Sequence, residues 1–304
     1  MESDAEDRAV EFEGLRPRLF SIAYRMLGSA SEAEDAVQDA YLKWSAADAS
    51  AIEVPAAWLT TVLTRLCLNR LTSARATRER YVGPWLPEPV LTGAAAGGGS
   101  GVGPLETAEQ RDSVSLALLS LMERLTPVER AVFVLREAFA YPHSDIAGIL
   151  DITPEGSRQL YRRARQRIAQ DRRRFEPSER RWHDVVEKFL DAARGGDIAA
   201  LEQLLAEDAV SWSDGGGKAS AGRRPVHGRD RVARLLVGFA GRVAEEYTIV
   251  IAEVNGAPAV LVLLDGEPVA VLAPEVVAGR VAAIRAAVNP DKLAFLARQL
   301  RSAG

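Results

Sequence analysis

The segment from Leu125 to Arg174 leaves few folds open. Thr126, Pro127 and Glu129 stand at the spacing of an N-cap, a first helical residue and a capping-box acid. They predict a helix with Val128, Val132, Phe133 and Leu135 on its apolar face. A short helix over about Ser144 to Leu150 turns Ile146, Ala147 and Leu150 inward, and Asp151-Ile152-Thr153 makes a turn. Thr153 then caps a further helix, with Pro154 at its first position and Leu160, Ala164 and Ile168 on its buried side, running from Glu155 to about Arg172. This is the frame of a helix-turn-helix. Arg158 to Arg174 holds eight arginines against one acid, so the frame points to DNA. Ser157, Arg158 and Gln159, near the start of the second helix, are the candidates for reading base edges. Arg162, Arg163, Arg165 and Arg167 suit phosphates, and Tyr161 lies at the edge of the same face.

Charge is sorted by position in this chain. The formal net charge is −4, and the first 53 residues are acidic. Hydrophobic residues make up 47% of 304, enough for two or three domains with real cores. One cysteine, Cys67, excludes an intrachain disulfide, and three scattered histidines (His143, His183 and His227) offer no metal cluster. The acidic start MESDAEDRAV lacks the positive, apolar pattern of a signal peptide, and no apolar run approaches the ~20 residues of a membrane span. These features predict a soluble protein of the reducing cytoplasm with no membrane contact, metal or cofactor.

Ahead of the helix-turn-helix, residues from about Glu11 to Tyr81 read as entirely helical. Leu15, Leu19, Ile22, Ala23, Met26 and Leu27 recur at helical spacing until Gly28 and Ser29. Ser31 and Glu34 predict a capping box for the second helix, and Pro55 opens the third. YVGPWLPEPVLTGAAAGGGSGVGP follows, with a stiff, proline-rich, aromatic half and a flexible Ala/Gly half. Beyond Pro177 and Ser178 the pattern changes. ERRWHDVVEKFLDAARGGD, IAALEQLLAEDA and GRDRVARLLVGFA read as helices. YTIVIAEV, PAVLVLL, PVAVLA and RVAAIRAAV read as strands separated by Asn255-Gly256, Asp265-Gly266 and Ala278-Gly279 turns.

In SEAEDAVQDAYLKW, the residues Glu34, Asp35, Gln38 and Asp39 cluster at helical spacings and offer acceptors to a basic partner, while Val37, Tyr41 and Trp44 pack. In PAAWLTTVLTRLCLNRLTSARATRER, Leu59, Val62, Leu63 and Leu66 form a buried stripe. Thr61, Thr64, Arg65 and Arg75 lie on another face, with Asn69 and Arg70 beside it and Trp58 at the start of the helix.

Two helical segments on a flexible linker, the second ending in a helix-turn-helix, resemble bacterial RNA polymerase sigma factors of the extracytoplasmic-function type. The resemblance covers residues 11 to about 175. It implies that Glu34, Asp35, Gln38 and Asp39 bind the clamp helices of the polymerase's largest subunit. Trp58, Thr61, Thr64, Arg65, Asn69, Arg70 and Arg75 would meet the melted minus-10 strand. Ser157, Arg158, Gln159, Tyr161, Arg162, Arg163 and Arg165 would meet duplex DNA at minus-35, near the flap of the second large subunit.

Family proteins normally end there, whereas residues 179–304 resemble the cone-shaped α+β SnoaL-like fold. With WLPEP at Trp85 to Pro89, DGGGK at Asp214 to Lys218 and NPDKL at Asn289 to Leu293, the chain is similar to sigma factors with a fused SnoaL-like domain. The expected architecture is multi-domain: an all-α domain over 8–82, a linker over 83–107, an all-α helix-turn-helix domain over 108–175 and an α+β cone over 179–304. The resemblance implies control by the chain's own C-terminal domain in place of a separate anti-sigma factor. Trp85, Leu86, Pro87, Asp214, Lys218, Asn289, Asp291 and Lys292 are the interdomain candidates. A rival reading joins a helix-turn-helix regulator to a SnoaL-type enzyme or sensor, with Asp214 and His227 as an acid-base pair and Lys218 or Arg224 holding an anion. The expectation is that the chain has no catalytic residues. Asn289-Pro290-Asp291 instead caps a helix whose Leu293, Phe295, Leu296 and Leu300 face a packed surface.

Overall fold

The computed structural model describes residues 2–48, 51–78, 81–92, 113–171, 179–242 and 246–303, with 2–5, 74–78, 171, 179–183 and 303 described by backbone alone. They form two compact units: residues 1–79, 98–114 and 118–172, and residues 80–97, 115–117 and 173–304.

The first unit is helical. Helix α1 spans Glu2–Leu27, α2 Ala30–Ala46 and α3 Pro55–Arg78. Helix α1 begins well before Glu11. Gly28 ends it at φ +67°, a conformation open to glycine without strain. The cap of α2 is Ser29, whose side chain accepts from the Glu32 amide at 3.1 Å. Ser31 therefore lies inside the first turn, which corrects the expected Ser31–Glu34 box. The reason is that Ser29 already has extended backbone and claims the N3 amide. Ala30, Ala33, Ala36 and Ala40 are fully buried, so α2 lies close against α1, with Trp44 sealing the end. Leu59, Leu63 and Cys67 add the α3 stripe. Each buried leucine there contributes about 1.5–3 kcal/mol.

Helix α4 spans Leu116–Met122, α5 Pro127–Glu137, α6 His143–Leu150 and α7 Pro154–Asp171. The Thr126–Glu129 capping box forms in both directions. Its helix differs from the expected amphipathic one: Val128 is exposed, while Ala131 through Leu135 are all buried. Helix α5 is enclosed because α7 packs on one side of it and α1 and α3 approach from the other. That approach is polar. Arg25 Nε donates to Ser113 Oγ at 2.9 Å, Arg130 Nε donates to the Arg25 carbonyl, and the Tyr141 hydroxyl lies 3.2 Å from both Arg18 and Thr60 Oγ1.

The second unit is α+β. Helices α8 (Glu179–Arg194) and α9 (Ile198–Leu204) lead into β1 (Leu205–Asp214), then β2 (Val226–His227) and α10 (Arg229–Ala240). A meander follows: β3 (Tyr247–Val254), β4 (Ala257–Leu264), β5 (Glu267–Val277) and β6 (Arg280–Ala287), closed by α11 (Pro290–Ala303). The sheet order is β2-β1-β6-β5-β4-β3, with β1 parallel to β6 and the other pairs antiparallel. All three hairpins turn through two positive-φ residues: Asn255-Gly256, Asp265-Gly266 and Ala278-Gly279.

Strand β1 corrects the sequence reading, which continued a helix through LLAEDA. The helix stops at Leu204 because residues 205–214 fill the place beside β6, a long-range pairing with no local turn to announce it. Adjacent residues of β5 point to opposite faces. Leu272 joins Phe189, Leu201, Val232, Leu236 and Ile284 under α8–α10, while Val271 joins Leu261, Ala287, Leu293 and Leu296 under α11.

Candidate functional sites: two charged helix faces and a docked linker

On α2, Glu34, Asp35 and Gln38 are exposed on one face, opposite the alanine ladder. Asp39 is half-exposed and holds Arg70 of α3 through a 2.7 Å ion pair. This joins a residue expected to face a protein with one expected to face DNA. Val37 and Trp44 pack as expected, whereas Tyr41 is one-third exposed and rests its ring 4.9 Å from Phe12.

On α3, Arg65 and Asn69 are exposed, and Thr61 is partly so, with its hydroxyl donating to the Ala57 carbonyl. Trp58 is half-buried, with its ring 5.8 Å from that of Trp44. Thr64 departs from expectation, because it is fully buried and donates to the Thr60 carbonyl at 2.7 Å. It shares the face of Thr60, which Tyr141 covers. The side chain of Arg75 lies outside the described residues.

The helix-turn-helix forms as a turn through Asp151 in left-handed backbone, and Thr153 Oγ1 accepts from the Gly156 amide. Arg158, Gln159, Arg162, Arg163 and Arg165 are exposed along α7. Arg158 pairs with Glu155 at 2.7 Å, and Arg165 approaches Glu137 at 3.7 Å and the Tyr161 ring at 5.8 Å. Arg167 is committed to the capping-box acid Glu129 at 2.6 Å.

Ser157 is a correction: it is completely buried, with Oγ 2.8 Å from His143 Nδ1. Residues 157, 161, 164 and 168 fall on one helical stripe, so Ser157 begins the inward face. Tyr161, also on that stripe, is half-buried between Phe133 and His143, and its hydroxyl bonds to Glu137. Burial and that carboxylate push its phenol up to about 12.

The most elaborate polar site lies in the second unit, where linker residues 81–92 run along the C-terminal domain. Asp214, at the end of β1, has no exposure and accepts three donors: the Tyr81 hydroxyl (2.6 Å), the Leu86 amide (2.7 Å) and Lys292 Nζ (2.7 Å). Lys292 also donates to the Leu86 carbonyl, and its ammonium lies 4.0 Å from the Trp85 ring and 4.8 Å from that of Tyr81. Burial, followed by the Asp214 hydrogen bond, pushes the Tyr81 phenol well above its ordinary value, so it stays a donor.

Asn289 Nδ2 donates to the Tyr81 oxygen at 2.8 Å, and Lys218 pairs with Asp291 at 2.5 Å across the two loops. The glycines are explained by close approach. A Cβ at Gly216 would lie 2.2 Å from Asn289 Nδ2 and 2.8 Å from the Tyr81 hydroxyl, and the residue holds φ +57°.

Further along, Leu86, Pro87, Val90 and Leu91 are buried. The Val90 amide donates to Asn255 Oδ1, the Leu91 amide to Gln299 Oε1 and the Thr92 amide to the Glu253 carbonyl, and Leu91 bridges Val254 at the end of β3. Val90 and Asn255 are connections that sequence reasoning missed, although the Asn-Gly turn was its visible signal. The acid-base pair of the rival reading does not assemble. His227 is exposed and paired with Val210, four residues from Asp214 along β1, or about 13 Å.

A helix-turn-helix with an arginine-lined outer face, packed on an acidic helical bundle, defines the first unit as a DNA-directed transcription protein. The family model for Sigma-70 region 2 matches residues 12–77, and that for Sigma-70, region 4 matches residues 115–168. The ECF RNA polymerase sigma factor SigJ of Mycobacterium tuberculosis is 37% identical over 294 residues, covering 93% of this chain and 92% of the relative. A probable ECF sigma factor of that organism, SigI, is 34% identical over 291 residues, covering 94% of each. The crystal structure of Mycobacterium tuberculosis SigJ matches with a TM-score of 0.75 at 33% identity, covering 94% of this chain and 98% of that one. The chain belongs to the extracytoplasmic-function RNA polymerase sigma factors, which work with core RNA polymerase and promoter DNA, and it carries a fused C-terminal α+β domain.

Proposed function

We propose that this sigma factor is regulated by the docking of its own linker on the SnoaL-like domain, without a separate anti-sigma factor. The observation that carries the reading is Asp214, a buried carboxylate whose three donors come from the linker and from α11. A carboxylate so buried is stable only while its partners stay. Docking also holds residues 81–92, part of the segment that joins the two DNA-directed parts of the chain, on the C-terminal domain. Capture of the linker by a fused domain benefits from high effective concentration, and a few kcal/mol suffice to shift such a balance.

Within this reading Glu34, Asp35 and Gln38 meet the clamp helices. Arg65, Asn69 and Arg70, with Thr61, Trp58 and Arg75, meet the melted minus-10 strand. Arg158 and Gln159 read minus-35 base edges, while Arg162, Arg163 and Arg165 hold phosphates beside the flap. The work is done in the cytoplasm, where polymerase and promoter are. No helix among the described residues is long and apolar enough to cross a membrane. Co-purification with core enzyme and in vitro transcription on genomic DNA test the assignment. A chain that binds duplex DNA tightly and ignores the core contradicts it.

A further inference from the structure

Charge is sorted within the C-terminal domain as sharply as in the whole chain. From Glu179 to Asp214 nine acids stand against four bases, whereas Lys218 to Arg242 holds seven Lys and Arg residues and one acid, Asp230. Arg223 and Arg224 are exposed on the loop before β2, and His227 is exposed on β2 itself, the edge strand of the sheet. One residue later α10 begins. Its Val232, Ala233 and Leu236 are buried in the domain core, which turns Arg231, Arg234 and Leu235 to solvent. Asp230 is spent on Arg234 at 2.9 Å. Arg223, Arg224 and Arg231 make no ion pair with any described residue. Three exposed arginines without an ion pair, close in sequence on the loop before β2 and the first turn of α10, with Arg234 beside them shared with Asp230, give an acidic protein a positive surface suited to a polyanion.

We propose that this face, Arg223, Arg224, Arg231 and Arg234, binds DNA phosphates, giving the fused domain a direct hold on the nucleic acid. Its chemistry favours DNA over an acidic protein. The side chains are all arginine, whose fork matches phosphate oxygens. Among the described residues from Lys218 to Arg242 no large aromatic is exposed of the kind that carries protein interfaces, and the exposed large apolar one is Leu235. The domain is tethered to two DNA-directed segments, so weak phosphate contacts act at high local concentration. The face borders the linker dock, since a Cβ at Gly83 would lie 3.7 Å from Arg223 Cα, but its arginine side chains make none of the hydrogen bonds that hold Asp214 and Leu86, so its test is separate from that of docking. Its contacts are independent of base sequence.

The test is the salt dependence of holoenzyme binding to a promoter duplex recovered by in vitro transcription on genomic DNA. Replacing Arg223, Arg224, Arg231 and Arg234 together by Ala should make the slope of log K against log salt shallower by roughly 2 to 4. The corresponding four-Lys variant should keep the slope. A photo-crosslinker at Leu235, on an otherwise unchanged surface, should capture DNA. An unchanged slope in the Ala variant overturns the proposal, as does a crosslink only to polymerase or to the chain's own acidic helices, which assigns the face to a protein.

Discussion

Ser157 Oγ and His143 Nδ1 lie 2.8 Å apart and pin the first turn of α7 to the start of α6. The pin fixes the angle between the two helices of the helix-turn-helix from inside, at a serine that faces no DNA. Ser157→Ala should therefore leave the base preference unchanged and cost about 0.5–1.5 kcal/mol, the net worth of one hydrogen bond whose remaining partner, the part-buried His143 ring, can turn to water. Burial, then Arg136 and Arg158, hold the His143 imidazole below its ordinary range. The unfolded chain takes up this proton as pH falls below about 6.5 while the folded one resists, so the contribution is present above that value and is lost as pH falls through the folded pKa. Thermal melts between pH 7.5 and 5 should show a fall that His143→Gln reduces. A fall of equal size in both proteins refutes the role.

The exposed face of α7 divides its arginines by position. Arg158→Ala should cost ~1–3 kcal/mol on one preferred minus-35 base, whereas Arg163→Ala should weaken all promoters alike and flatten the salt dependence by about one. Binding of holoenzyme to a set of single-base promoter variants checks this. Equal weakening on every variant by both substitutions reduces Arg158 to a phosphate contact.

Asp35 and Asp39 look equivalent in sequence, but the 2.7 Å pair with Arg70 separates them. Asp35→Arg reverses an exposed charge and should reduce core binding by tenfold or more with helicity unchanged, because like charges across an interface cost several kcal/mol. Asp39→Asn should spare most core binding and instead release Arg70, altering promoter opening. Measured core affinity and permanganate reactivity of the melted strand distinguish the two. An Asp39→Asn protein that binds core as poorly as Asp35→Arg means that Asp39 itself meets the clamp.

What was legible in the sequence follows the range of the interactions. Local signals came through: the Thr126–Glu129 box, the Gly28 stop, the Pro55 and Pro154 starts and the three hairpin turns are each set by residues within four positions. Readings failed where a distant partner decided. Leu205–Asp214 becomes a strand because β6 lies beside it, 76 residues away at Leu205↔Val281. Thr64 and Ser157 disappear from candidate surfaces because Tyr141, in the loop before α6, covers the face that Thr64 shares with Thr60, and His143 of α6 closes over the start of α7. The need for glycine at position 216 is likewise set at long range, by Tyr81 and Asn289, which a Cβ there would meet.

Lys292 makes the linker dock testable at single-residue resolution. Its ammonium, buried to 8% side-chain exposure, joins Asp214, the Leu86 carbonyl and two aromatic rings, so Lys292→Met keeps the stem's packing and removes only the charge. Asp214 is then left buried with one fewer donor, and the loss of a buried pair's partner costs about 3–5 kcal/mol. The amides of Leu86, Val90, Leu91 and Thr92, all bonded within the dock, should exchange with deuterium slowly in the full chain and much faster in Lys292→Met. Truncation at Asn289 goes further. It removes Lys292 and Gln299 together with Leu293 and Leu296, the α11 side of the core that includes Leu91. Loosened docking should raise reporter transcription, whereas deletion after Arg181 removes the whole fused domain and should lower it. The two deletions differ because the shorter one frees the linker and keeps the rest of the domain, its basic face included. Equal transcription from the full chain and both truncations, at matched abundance, excludes regulation by the fused domain, whatever the exchange data report about docking.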